Sequence, residues 1–200
     1  MGIDAQAITN PLPRRWFKNQ SKARILRSAE AAARDWAQKN DLGPLVQCKS
    51  AADGGLEIEI IPTADPISIQ VKDNRLSVGF RSSNGGPGFH AAAIHMLDRV
   101  ATALSVTWQW VASDGEQLDE TGYASHRSFP VLQAAMAEFL RALCKSMVDS
   151  LSTESMEESL WNFCIPMGLG HVAGKISCPL GFMSPTWSEK LQDMDAEGLG

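Results

Sequence analysis

Residues 67–81 read Ile67-Ser68-Ile69-Gln70-Val71-Lys72-Asp73-Asn74-Arg75-Leu76-Ser77-Val78-Gly79-Phe80-Arg81, and this stretch decides the fold. Ile67, Ile69 and Val71 alternate with Ser68, Gln70 and Lys72. After Asp73-Asn74, Leu76, Val78 and Phe80 alternate with Ser77, Gly79 and Arg81. A period of two with one apolar face predicts paired antiparallel strands that are wet on one side. Asp73-Asn74 stands where a two-residue hairpin turn belongs, and both residue types tolerate positive φ. Upstream, Leu56, Ile58 and Ile60 alternate with Glu57 and Glu59, and Asp53-Gly54-Gly55 reads as another turn. Residues 45–50 are then the candidate first strand of a meander.

Helical patterns flank the meander. Ile25, Ala29, Ala32 and Trp36 share one face of a helix over 22–39, which Gly43-Pro44 is expected to stop. Phe89, Ala93, Met96, Leu97, Val100 and Leu104 define a second helix over 88–104. Residues 106–111 read as a strand with Val106, Trp108 and Trp110 on one side. A third helix over 129–150 starts with Pro130 in its first turn and carries Leu132, Met136, Phe139, Leu140, Leu143 and Met147. Beyond it the pattern fades. A strand over 161–165, a run broken by Gly168, Gly170, Gly174 and Gly181, and a short helix after Ser184-Pro185 are the readings there. Residues 1–20 read as an arm, because Pro11 and Pro13 interrupt regular structure, with Trp16 and Phe17 as its anchors. The expectation is an α+β protein: an antiparallel meander of four or five strands with two or three helices packed on one face. Its divisions are an arm over 1–20, a core over 21–150 and an irregular C-terminal extension over 151–200.

Composition bounds the functional classes. The chain has 200 residues, 44% apolar and 20% charged, in the range of a globular protein. A net charge of −5 argues against a general nucleic-acid binder. A basic cluster (Arg14, Arg15, Lys18, Lys22, Arg24 and Arg27) stands against an acidic C-terminal region, and such runs are ordinarily solvated faces. Cys48, Cys144, Cys164 and Cys178 show no short paired spacing, so free thiols in a reducing compartment are expected rather than a zinc site. No segment reaches the length of a membrane span, and no apolar leader core is present. The expected location is the cytoplasm.

The chemistry-bearing segment is Asn84-Gly85-Gly86-Pro87-Gly88-Phe89-His90. A glycine-rich strand-to-helix turn brings backbone N–H groups close to a ligand, and helix N-termini favour anions. Gly85, Gly86 and Gly88 are the candidate cofactor-binding residues. His90, at the border of the apolar face, is a candidate base or a structural histidine that fixes the turn. His95 lies about 140° around the same helix, so the two cannot share a metal as an i, i+4 pair would. Ser82 and Ser83 precede the turn without the Gly-x-Ser-x-Gly elbow of a hydrolase. The order helix, antiparallel strands, glycine-bearing turn, helix, strand, helix is similar to the acyl-CoA N-acetyltransferase fold. In that family the turn after the fourth strand reads Arg/Gln-x-x-Gly-x-Gly/Ala, and its N–H groups bind the cofactor pyrophosphate. The resemblance spans residues 68–111 and sets Arg81-Ser82-Ser83-Asn84-Gly85-Gly86-Pro87-Gly88 on that turn. Here the glycine spacing differs by one, and Pro87 removes an N–H.

The second candidate is the polar segment 113–127. Asp114, Glu116, Asp119 and Glu120 supply oxygen ligands, but their spacing is not that of an EF-hand. Glu120, Tyr123 and His126 make a candidate proton-transfer set, and Tyr123, the single tyrosine, points to a specific hydrogen bond. With no catalytic motif complete, the leading expectation is a non-enzymatic protein-binding module, immunity- or adaptor-like, with no cofactor and no bound metal. Its partner-binding residues would be Asp114, Glu116, Asp119, Glu120 and Arg127. The alternative is an acyltransferase-like enzyme that uses the 84–90 turn, with His90, Tyr123 and His126 as catalytic candidates.

Overall fold

The computed structural model describes residues 2–12, 22–61, 64–112, 114–151, 171–172, 175–178 and 181–183. The chain divides into two compact units, Met1–Arg127 and Ser128–Gly200. Several expectations lie outside the described residues: the anchors Trp16 and Phe17, the basic residues Arg14, Arg15 and Lys18, the strand over 161–165 and the helix after Ser184.

The first unit is built on an open six-stranded antiparallel sheet, so the α+β class holds. Its strands are β1 (Asp4–Thr9), β2 (Gln47–Ser50), β3 (Leu56–Glu59), β4 (Ile67–Lys72), β5 (Arg75–Arg81) and β6 (Trp108–Gln109), in the spatial order β2-β3-β4-β5-β1-β6. The predicted meander is β2 through β5. Its central hairpin has the register Lys72↔Arg75 to Ser68↔Gly79. Asp73 and Asn74 take φ of 48° and 61°, the left-handed pair that matches the twist of a two-residue hairpin.

The arm expected over 1–20 is corrected by β1, which fills an interior lane between β5 and β6. Its inward residues Ala5, Ala7 and Thr9 are buried, yet alanine is a weak strand former, so the alternation carries little signal. Pro11 lies just beyond the strand and does not interrupt its ladder.

Two helices cover the apolar face. Helix α1 (Lys22–Lys39) buries Ile25, Leu26, Ala29, Ala33, Trp36 and Ala37 and packs on β3 and β4. It ends where Asp41 turns left-handed, with the Leu42 N–H donating to the Ala37 carbonyl, just before the Gly43-Pro44 expected to stop it. Helix α2 (Gly86–Leu104) packs along α1 and is joined to the sheet by aromatic and polar contacts. Phe80 meets Phe89 edge-on at 6.1 Å, and Trp108 Nε1–H donates to the Leu97 carbonyl at 2.8 Å. Ile58, Ile67, Ile69, Leu76, Ile94, Met96, Leu97 and Leu104 are fully buried between the layers. The unit closes with the single-turn helix α3 (Tyr123–His126).

In the second unit, helix α4 (Phe129–Leu151) buries Leu132, Met136 and Ala137. Three short strands, β7 (His171–Val172), β8 (Lys175–Cys178) and β9 (Gly181–Met183), form an antiparallel sheet in chain order. The sequence had placed the helix over 129–150 with the core, whereas compactness groups α4 with the C-terminal residues.

Ile58 is the sharpest test of the packed layers, because it is fully buried at the heart of β3. Ile58→Ala is expected to destabilise the fold by about 2–5 kcal/mol through lost burial and a residual cavity. A urea titration checks this as a lowered midpoint at unchanged m-value.

Candidate functional site

The 84–90 turn folds onto itself. The N–H groups of Gly85 and Gly86 both donate to the Ser82 carbonyl at 3.0 Å. Pro87 at the head of α2 has no N–H to offer. The glycines answer to local geometry: Gly86 has a φ of +73°, and a Cβ on Gly85 would lie 2.5 Å from the Phe89 ring. The donors that a phosphate cradle needs at Gly85 and Gly86 are therefore engaged, while Gly88 lies one residue further into α2 than Pro87.

His90 points into the interior and is fully buried. Its Nδ1 lies 2.8 Å from Ser82 Oγ, and its Nε2 lies 3.3 Å from both Asp119 Oδ1 and Thr121 Oγ1. The ring also rests against Phe80 and, edge-on, against Tyr123. Ser82 reaches further: its N–H donates to the Ile3 carbonyl at 2.9 Å, and its Oγ is 3.4 Å from the same oxygen. One polar network thus joins the start of β1, the end of β5, the first turn of α2 and the loop before α3.

Asp119 is the centre of this network and is fully buried, not a partner-facing acid of the polar loop. Its Oδ1 accepts from the Thr121 N–H at 3.0 Å and the Thr121 hydroxyl at 2.8 Å, while Oδ2 accepts from the Ala124 N–H at 2.8 Å. Burial acts to raise its pKa, but the hydrogen bond from His90, the Ala124 N–H, the attraction of His90 and the Thr121 hydroxyl together outweigh it. They hold the carboxyl at about 2, below its ordinary 3.8. An ionised carboxylate only accepts, so His90 Nε2 carries a proton and donates. The sequence signal for this arrangement is Asp119-x-Thr121 just before a short helix, where Asp binds backbone N–H groups two and more residues on.

Ser82, His90 and Asp119 line up as hydroxyl, imidazole and carboxylate, the groups of nucleophilic catalysis. Ser82, His90 and Asp119 each have 0% relative exposure, and the Ser82 hydroxyl faces the Ile3 carbonyl just before β1. A substrate carbonyl has no approach to it. The polar atoms of the set are met from within the protein, as a structural network requires.

The acidic candidates other than Asp119 sit at the surface. Residues 110–112 and 116–118 pair as a small hairpin, with Leu118 N–H donating to the Trp110 carbonyl and an isolated bridge Val111↔Gln117. Its tip exposes Asp114, Gly115 and Glu116, and Asp114 Oδ1 accepts the Glu116 N–H. The return strand binds β1 through Gln6 N–H to the Leu118 carbonyl and the bridge Ala5↔Asp119. Glu120 is exposed and accepts the Asp4 N–H at 3.2 Å. That contact is with the backbone of β1 rather than with Tyr123 and His126.

Tyr123 is buried, and its hydroxyl is 3.2 Å from Nε2 of the exposed His95. The specific hydrogen bond expected of the single tyrosine exists, with a partner on α2. His126 Nε2–H donates to the Thr121 carbonyl at 3.2 Å, and Arg127 pairs with Asp98 at 2.9 Å. Among the described residues, no group of three or more His, Cys, Asp or Glu side chains could hold a metal ion. No described helix is long and apolar enough to cross a membrane. Cys48 is a half-buried free thiol whose pKa is raised by burial. Comparison with protein-family models, curated proteins and solved structures finds no match for the chain.

Two outcomes test the network. Because the Asp119 pKa is depressed in the folded state, its stabilisation is present above about pH 4 and is lost as pH falls toward 2, an effect of about 2 kcal/mol. Asp119→Ala should flatten that part of the stability–pH curve measured by denaturant titration. His90→Ala should destabilise the fold by about 3–5 kcal/mol, because it strands a buried carboxylate and a buried hydroxyl. A His90→Ala variant that melted like the parent would break the structural assignment.

Proposed function

We propose that this chain is a non-catalytic protein-binding module, immunity- or adaptor-like, working in the cytoplasm on another protein. One observation carries the reading. The hydroxyl–imidazole–carboxylate set of Ser82, His90 and Asp119 is sealed from solvent and ties four segments of the fold together. That set offers no open reacting group, so we assign the contact to the described surface.

The surface that best suits a partner is the hairpin projecting beyond β6. Asp114 and Glu116 stand exposed at its tip, Val111 is 43% exposed on its outgoing strand, and the exposed Glu120 follows its return strand, while the exposed Arg127 pairs with Asp98 on α2. The return strand is pinned to β1, so the tip is presented by a rigid base. Exposed charges at the rim of an interface chiefly steer association and select partners.

The competing acyltransferase-like reading makes an opposite forecast. A ligand bound only by the native state raises the melting temperature. Acyl-CoAs, nucleotides and divalent metals are expected to leave it unchanged. Affinity capture is expected to recover one stoichiometric protein, and Asp114→Lys with Glu116→Lys should weaken that complex at least about ten-fold, or 1.4 kcal/mol. A saturable thermal shift with an acyl-CoA would overturn the binding reading. So would capture unaffected by the charge reversal, as far as this hairpin is concerned.

A further inference from the structure

We propose that the Ser82 hydroxyl is a rotor set by the charge of His90, and that it couples protonation of the buried ring to the hold on the start of β1. His90 Nε2 is committed, because it donates toward Asp119 Oδ1 at 3.3 Å. Nδ1 faces Ser82 Oγ at 2.8 Å, and the same Oγ lies 3.4 Å from the Ile3 carbonyl oxygen. Ser82 thus has a single hydroxyl proton with two acceptors in reach.

The charge of the ring decides between them. When the ring is neutral, Nδ1 carries a lone pair and the hydroxyl donates to it. The Ile3 carbonyl then keeps the Ser82 N–H at 2.9 Å. When the ring is protonated, Nδ1–H donates to Oγ, and the hydroxyl proton turns to the second lone pair of the Ile3 carbonyl. No heavy atom has to move, and the ring nitrogens and the hydroxyl are satisfied in both states. A carbonyl in place of Ser82 Oγ would suit only the charged ring. A hydroxyl suits either, because it both donates and accepts.

Asp119 supplies the charge that faces the ring, and its carboxyl, held at about 2, stays ionised above about pH 4. Phe80 from β5 and Tyr123 from α3 pack on the ring. Tyr123 in turn meets His95 through its hydroxyl and His126 edge-on. Glu120 is turned to the Asp4 N–H, and Arg81 pairs with the Asp4 carboxylate. Protonation of His90 therefore adds a hydrogen bond at Ile3 and strengthens the pull on Asp119. Ile3 leads into β1, and Asp119 belongs to the segment that β1 meets through Gln6 N–H to the Leu118 carbonyl and Glu120 N–H to the Asp4 carbonyl. The two are drawn together on the acid side of the ring's titration, and the hold weakens as pH rises through it. This coupling stands whether or not the neighbouring hairpin binds a partner.

The test follows the full-length chain by nuclear magnetic resonance over the range above about pH 4 in which the fold persists. Long-range nitrogen–proton spectra read the His90 Nδ1 as bare or protonated, ring by ring against His95 and His126. Hydrogen exchange of the Ser82, Gln6 and Glu120 amides, corrected for its intrinsic pH dependence, reads the hold on β1. Protection of these amides is expected to rise about two- to ten-fold, the scale of one hydrogen bond, at the midpoint where Nδ1 gains its proton. Ser82→Ala should abolish the step, as should Ser82→Cys, whose thiol is a weak donor of similar shape. An Nδ1 that keeps one state throughout would overturn the proposal. So would a His90 titration without a step in the amides, a step that follows His95 or His126 instead, or one that survives in either Ser82 variant.

Discussion

A carboxylate removed from water is the constraint around which the first unit is organised. Asp119 has no exposed surface, and an isolated buried charge of this kind is prohibitive unless donors surround it. The fold supplies the Thr121 N–H and hydroxyl, the Ala124 N–H and the His90 ring. Each donor fixes a different piece of chain. Thr121 and Ala124 shape the entry to α3, and His90 sets the first turn of α2. Ser82, behind His90, catches the Ile3 carbonyl at the start of β1. Loss of any member leaves others buried without a counterpart, so the group acts as a unit rather than as separable contacts.

This constraint explains why residues that resemble catalytic machinery are found where no substrate reaches. Serine, histidine and aspartate are also good pieces for a fully satisfied polar core, because together they offer donors and acceptors in a line. The glycine turn serves the same end. Gly86 provides the left-handed bend and Gly85 the clearance for Phe89, and together they deliver His90 into the interior. The function proposed for the chain accordingly rests on its surface, at Asp114 and Glu116, rather than on the turn.

Much of the architecture was legible residue by residue. The alternation of Ile67 to Phe80 and the left-handed tolerance of Asp73-Asn74 marked the central hairpin, and the spacing of Ile25, Ala29 and Trp36 marked α1 at its observed limits. Those signals are local: periodicity of burial and turn stereochemistry act within a few residues. β1 escaped because Ala5 and Ala7 are small, and a strand defended by neighbours on both sides does not need large side chains of its own. Asp119 escaped for a related reason. A carboxylate among Asp114, Glu116 and Glu120 looks solvated, and only the bridge to Ala5 turns it inward.

By itself, the sequence determined the α+β class, the helices α1, α2 and α4, the four-strand meander and the glycine corner, because each follows from short-range pattern and backbone sterics. Tertiary structure alone decided that β1 occupies an interior lane and that Ser82, His90 and Asp119 converge. It also decided that the His95–Tyr123 hydrogen bond joins α2 to α3. Those facts depend on which distant segments share space. Pairing across roughly 70 to 110 residues is set by the summed packing and hydrogen bonding of the whole sheet, a quantity that no window of sequence contains.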